Sequence, residues 1–273
     1  ANTNTLHFNA NGGTGEMENA YIRTDDSATL PRNLFEKKGY DFVGWAESAE
    51  GKVVYADQSV YQMDVYAENV LYAQWKIVTY KINYNLNGGQ LAVQNKDTYN
   101  IETATFTLNN PTKRGYEFTG WSGSNLKGNE NQAVSIETGS YGELTFTANW
   151  TAIEYSITYN LNEGTNNSAN PKTYTIEQEV RLQDPERKGY KFSGWTNNGL
   201  ISKGSIGEKT FTASWEIIEY NIIYNLEGGT NNSSNPIKYN INTPKIMLEA
   251  PTKLGYQFIE WTNGGIIENG SIG

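Results

Sequence analysis

Polar and apolar residues alternate along this chain in short runs that return at nearly constant intervals. The run "YKINYNL" at 80–86 puts Tyr80, Ile82, Tyr84 and Leu86 on one side of an extended segment and Lys81, Asn83 and Asn85 on the other. That period of two marks a half-buried strand. It returns as "YSITYNL" at 155–161 and "YNIIYNL" at 220–226, and more weakly as "LHFNA" at 6–10. A second alternating run closes each of three copies: "LYAQW" at 71–75, "TFTANW" at 145–150 and "TFTASW" at 210–215. Phe146, Ala148 and Trp150 face one way and Thr145, Thr147 and Asn149 the other, as in a strand with one apolar face.

Between these runs lies an aromatic stretch: "GYDFVGW" at 39–45, "GYEFTGW" at 115–121, "GYKFSGW" at 189–195 and "GYQFIEW" at 255–261. Tyr116 and Phe118 share a face by alternation, but Trp121 is one residue out of phase. Either the strand bulges near Gly120 or the Trp turns to the other side. Glu260 stands at the glycine position in the fourth copy, which favours a bulge in ordinary backbone regions or none. After the opening run comes "NGG", "NEG" or "EGG", in which only the last glycine (Gly13, Gly89, Gly164, Gly229) is common to all copies. The expectation is that this glycine takes positive φ in a three- to five-residue hairpin, rather than belonging to a two-residue type I′ turn. A second strand such as "KTYTIE" at 172–177 leads to turns such as "PTKRG" at 111–115, with proline early and glycine last.

The aromatic-stretch tryptophans Trp45, Trp121, Trp195 and Trp261 are 76, 74 and 66 residues apart, and Trp75, Trp150 and Trp215 follow in step. Self-similarity at this period defines four modules, 1–76, 77–151, 152–216 and 217–273, and a mainly β fold class. The links "KIVT", "TAIE" and "EIIE" between one module's last Trp and the next opening Tyr lack glycine and proline, which predicts an elongated, stiff rod. The fourth copy ends "NGSIG", matching "KGSIG" at 203–207, and has no counterpart of the "EKTFTASW" that follows there. Its last strand is expected to be missing from this chain.

All seven tryptophans fill just two slots of the repeat. A module of about 70 residues without disulfides needs large side chains to fill a thin core, so Trp45, Trp75, Trp121, Trp150, Trp195, Trp215 and Trp261 are assigned to structural core. The rival reading makes one of the aromatics a platform for a sugar ring. Length varies mainly between the two slots, where a short helical or irregular cover on the sheet is expected. In the first module this segment carries Tyr55, Tyr61 and Tyr66 with Met63 among acidic residues, a candidate ligand surface.

The order "YxIxYNLNGG", "PTKxGYxFxGW" and closing "LYAQW" or "FTANW" resembles the Listeria–Bacteroides repeat, the family of the B repeat of internalin B. The resemblance covers nearly the whole chain. It implies a β-grasp-like (α+β) module of secreted or wall-attached bacterial surface proteins that links or presents flanking domains, and it brings no catalytic residues. Asn4 in place of the strand-opening Tyr, Glu260 in place of glycine, and little of the helical segment found in some members depart from the pattern.

The remaining chemistry is mostly exclusion. A net charge of -9 disfavours nucleic acid or an anionic membrane surface as partner. The absence of cysteine removes disulfides, zinc-thiolate sites and cysteine nucleophiles. With His7 the only histidine, neither a histidine metal cluster nor a Ser-His-Asp triad can be built. "NGGTG" at 11–15 precedes no helical pattern and reads as a turn, not a phosphate loop. The first module is the most acidic, but Asp25, Asp26 and Asp57 lack the spacing of a calcium loop. No run is long and apolar enough to span a bilayer as a helix. The sequence therefore points to a non-catalytic region with no cofactor, whose partners would be an extracellular protein or a glycan. Its class alternatives are a stalk or adhesion segment of a bacterial surface protein and a glycan-binding module attached to a carbohydrate-active enzyme.

Overall fold

The alternating runs become the strands of a mixed sheet that is built three times. The computed structural model describes residues 2–63 and 69–273. In the first repeat the second strand Ala20–Arg23, opening strand Thr3–Asn9, closing strand Asn69–Ile77 and aromatic strand Tyr40–Ala46 lie side by side in that order. The central pair is parallel, with Phe8 opposite Leu71, and both outer pairs are antiparallel. The second repeat places Thr98–Tyr99, Tyr80–Asn85, Leu144–Ala152 and Tyr116–Gly123 in the same order, and the third Thr173–Tyr174, Tyr155–Asn160, Lys209–Ile217 and Tyr190–Trp195. A parallel pair needs a long crossover, and nearly the whole repeat serves as one. Among the described residues it contains no α-helix, only a 3-10 turn at Thr196–Gly199.

The cover expected between the tryptophan slots as helical or irregular is instead one arm of a two-stranded ribbon. Val60–Gln62 pairs with Ser27–Thr29, Ser135–Ile136 with Phe106–Thr107, and Leu200–Ile201 with Val180–Arg181. The side chains between sheet and ribbon form three separate cores. In the second, Trp121 packs with Ile82, Leu108, Ile136, Leu144 and Phe146. With β-branched and aromatic residues on both surfaces, strand pairing fits the pattern better than a helix.

Two expectations about glycine are overturned. Asn11 and Gly12 have φ of 47° and 81°, and the Gly13 N–H donates to the Ala10 carbonyl at 2.9 Å, so the turn is a two-residue type I′. The glycine common to all copies is not left-handed; a Cβ there would lie 2.7, 2.4 and 2.5 Å from Cζ2 of Trp75, Trp150 and Trp215 respectively. It is required by the indole resting on it. The aromatic strand does bulge at the glycine before its Trp, where register shifts between Phe42 and Gly44 and between Phe192 and Gly194. Contrary to expectation the bulge uses a glycine-only backbone, with φ of 139°, 148° and 141° at Gly44, Gly120 and Gly194. The extra residue brings Phe42 and Trp45 onto one face, their ring centroids 4.9 Å apart.

The fourth repeat keeps only part of this plan. Tyr220–Asn221 pairs with Lys238–Tyr239 and Ile246–Met247 with Ile266–Ile267, but 256–261 is not a strand and no closing strand is present among the described residues. With no partner to bulge against, Glu260 is absent from the positive-φ residues.

The chain divides into two compact units, Ala1–Thr151 and Ala152–Gly273, each holding two repeats. Inside each unit the same junction appears. In the first, the Val78 N–H donates to the Gly39 carbonyl at 3.0 Å, a Cβ on Gly39 would lie 2.7 Å from the Ile101 side chain, and the Tyr40 hydroxyl donates to Glu102. In the second, Ile218 N–H bonds Gly189 O at 3.0 Å, Ile241 sits over Gly189, and Asn242 Nδ2 donates to the Tyr190 hydroxyl at 2.9 Å.

Candidate functional site

The two tryptophan slots have different surroundings. In the aromatic-strand slot Trp45 and Trp121 are 0% exposed and Trp195 8%. Trp121 Nε1 donates to Asn110 Oδ1 at 3.0 Å and Trp195 Nε1 to the Gln183 carbonyl at 3.1 Å, while the Trp45 and Trp261 Nε1 atoms are buried without a partner among the described residues. In the closing-strand slot Trp75, Trp150 and Trp215 are half-buried, each lying edge-on to the Phe of its aromatic strand at 5.5–5.8 Å. Their Nε1 atoms donate to Ala10, Leu86 and Leu161 carbonyls at 2.9–3.0 Å, which ties each closing strand back to the type I′ turn. The turn answers with its asparagine: Asn11, Asn87 and Asn162 Nδ2 donate to the carbonyls of Ala73, Ala148 and Ala213 at 2.8–2.9 Å. The sequence alone assigns this asparagine no role, because its partner lies some 50 to 60 positions away and leaves no local signal.

The candidate ligand surface of the first repeat does not assemble as one. Tyr61 is 7% exposed and belongs to the first core, so its ring is buried rather than offered to solvent. Tyr55 is half-buried with its ring 5.1 Å from that of Tyr61, and its amide bonds the Trp45 carbonyl. Tyr66 lies outside the described residues. Asp57 Oδ1 is taken by the Asn33 amide at 2.8 Å, and among the described residues no three His, Asp or Glu side chains converge to hold a metal ion. His7 lies on the opening strand, opposite Val70.

Burial perturbs one tyrosine strongly. The Tyr84 hydroxyl donates to the Lys96 carbonyl at 2.9 Å, and burial, with the Asp97 carboxylate as the smaller cause, pushes its pKa up to about 12.

A large groove lies in the fourth repeat. It encloses about 660 Å³ and is lined by Ile222, Tyr224, Leu226, Leu248, Phe258 and Trp261, with Gly229 at one end. Their counterparts in the third repeat, Ile157, Tyr159, Leu161, Leu182, Phe192 and Trp195, pack around Phe211, Ala213 and Trp215 of the closing strand. Nothing in the composition of the aromatic stretch marked this groove; only the unmatched end of the fourth copy did.

Comparison with known proteins agrees with the internal repeats. The profile described as "Listeria-Bacteroides repeat domain (List_Bact_rpt)" matches residues 5–74, 80–149, 155–214 and 220–265. Two proteins of Evansella cellulosilytica are similar over almost the whole chain. One, described as a "Putative Gly-rich membrane protein", is 26% identical over 94% of this chain, and the other, a "Putative membrane protein", is 26% identical over 95%. This chain spans only 30% and 39% of their respective lengths. No helix among the described residues is long and apolar enough to cross a membrane. With all four repeats matched by one profile, the chain belongs to the Listeria-Bacteroides repeat family.

Proposed function

We propose that this chain is a non-catalytic stalk and adhesion region of a bacterial surface or secreted protein, spacing or presenting the domains that flank it. The observation that carries the reading is the repeated junction. Closing strands Asn69–Ile77 and Lys209–Ile217 run to within two residues of the next opening strands, and in both units an Ile from the following repeat sits on the glycine of the preceding aromatic turn. Such a joint leaves little slack for hinge motion, as a spacer requires. The tryptophans serve the interior of each repeat, which leaves the repeated aromatic slots little surface to offer a sugar. Relatives described as putative membrane proteins, about three times longer than the matched part, support an extracellular setting at the cell surface.

The sheet order, with a parallel central pair flanked by antiparallel strands, supports a β-grasp-like reading in which a β-ribbon stands in place of the helix. Modules of about 30 Å each, set end to end as the short links of the sequence suggest, would make an array on the order of 100 Å. Small-angle scattering of residues 1–273 tests this: the reading expects a maximum dimension of that order, and a radius of gyration matching one globular domain would refute it. Titration against a glycan panel tests the rival; saturable binding quenching Trp fluorescence would favour the carbohydrate-binding module.

A further inference from the structure

We propose that each of the first three repeats is a load-bearing clamp: tension along the chain shears its opening strand against its closing strand, and the parallel pair with its side-chain latch gives way as one. The use of such a clamp rests on the spacer reading, since only a segment that is pulled needs it. Its basis is where the chain enters and leaves each repeat. Thr3–Asn9, Tyr80–Asn85 and Tyr155–Asn160 carry the entry, and Asn69–Ile77, Leu144–Ala152 and Lys209–Ile217 carry the exit. Only two residues separate Ile77 from Tyr80, Ala152 from Tyr155 and Ile217 from Tyr220. Tension therefore passes from one closing strand straight into the next opening strand.

Within each repeat these two strands lie side by side and parallel, with Leu6 to Asn9 beside Asn69 to Tyr72, Ile82 to Asn85 beside Leu144 to Thr147, and Ile157 to Asn160 beside Lys209 to Thr212. Pulling the start of one against the end of the other slides them lengthwise, so the evenly spaced hydrogen bonds between them are loaded together. An antiparallel pair in their place would be peeled apart bond by bond. Creep by single steps is blocked as well. Phe146 and Ala148 are 2% and 0% exposed, and a slip of one residue would put Thr145 and Thr147 on the core face instead. Beyond the end of the pair, two side chains fasten the turn to the closing strand: Trp150 Nε1 donates to Leu86 O at 3.0 Å and Asn87 Nδ2 to Ala148 O at 2.8 Å, and the first and third repeats repeat both bonds. Shear loads this latch together with the ladder.

The test pulls the intact 273-residue chain in an optical trap along two directions, because resistance to force is set by the barrier to unfolding and depends on how the load is applied. Held by its termini, the chain should release each of the first three repeats in a separate force-resisting step of roughly 200–250 Å, the length of its residues when extended. The chain contains no cysteine, so Lys81→Cys with Glu143→Cys supplies two unique handles, both at exposed positions, at the Ile82–Leu144 end of the second pair. Pulling there unzips the pair, and the same repeat should yield at a several-fold lower force. Trp150→Phe keeps a ring in the slot and removes the indole donor. It should lower the force of the second repeat when the termini are pulled and leave its unzipping force unchanged, because the latch lies at the far end of the pair. Equal forces along the two directions, or a parallel fall of both in Trp150→Phe, overturn the clamp. An elongated scattering profile combined with equal forces would keep the spacer and remove the clamp; strong shear resistance in a chain that scatters as one globule would keep the clamp and remove the spacer.

Discussion

Gly89→Ala probes the contact that fixes each closing strand to its turn. Gly89 has an ordinary φ, so the methyl group meets no backbone penalty; it meets Trp150, whose Cζ2 would be 2.4 Å from the new Cβ. The indole cannot swing away without losing its 3.0 Å bond to Leu86 O and its edge contact with Phe118. Forcing a methyl group into such a contact costs about 1–3 kcal/mol. Reduced freedom of the unfolded chain returns about 0.4–1 kcal/mol. A net loss of about 1–2 kcal/mol remains, roughly 5–15 °C in the melting temperature of a domain this size. The control is Gly229→Ala, which shares with Gly89 the 3.1 Å contact to the carbonyl of its turn leucine but has no indole among its nearest neighbours, so it should cost clearly less than Gly89→Ala. Scanning calorimetry, with hydrogen exchange resolved by repeat, reads both. Equal destabilisation by the two substitutions would refute the claim that the shared glycine is there for the tryptophan.

Two further outcomes follow from the bulge and from Tyr84. Gly194→Ala should cost only the strained φ of its bulge, about 1–3 kcal/mol, because nothing lies within 4 Å of the added Cβ; Gly44→Ala should cost clearly more, since its Cβ would be 2.5 Å from Val53 and 2.7 Å from Tyr55 O, and urea unfolding monitored repeat by repeat distinguishes them. Tyr84 has its pKa raised from 10.0 to about 12 by burial, so the folded state keeps a proton that the unfolded chain gives up; its stabilisation is whole below pH 10 and falls as pH rises towards 12, and Tyr84→Phe should flatten the alkaline loss seen in melting curves of the second repeat.

Much of the strand plan was legible because period-two alternation reports directly on which side of a sheet is buried. The opening and closing strands of the first three repeats lie where Tyr80–Leu86 and Thr145–Trp150 and their counterparts predict them. The aromatic stretch was legible as far as the phase slip at Trp121; that the slip needs a left-handed glycine was hidden by Glu260, whose copy makes no bulge. The shared Gly13, Gly89 and Gly164 suggest a demand on φ from the sequence alone, whereas the demand comes from an indole about 50 to 60 residues later, a long-range contact that local pattern does not carry. Tyr61 was misplaced for a related reason: a three-residue ribbon strand is too short to show its alternation, so a buried ring looked like a surface one.

The account's central claim is that the aromatic-strand tryptophans are the interior of a structural repeat. Trp121→Ala tests it most directly, because Trp121 is 0% exposed, bonded to Asn110 Oδ1 and surrounded by Tyr84, Phe118 and Phe146 at 5.5–6.4 Å. The loss should be about 3–5 kcal/mol, comparable with the whole stability of a 70-residue module at roughly 0.05–0.15 kcal/mol per residue. Hydrogen exchange across the chain should therefore show protection collapsing in Tyr80–Asn85 and Leu144–Ala152 while the strands of the third repeat keep theirs. A Trp121→Ala chain whose second repeat stays as protected as the wild type would contradict the account.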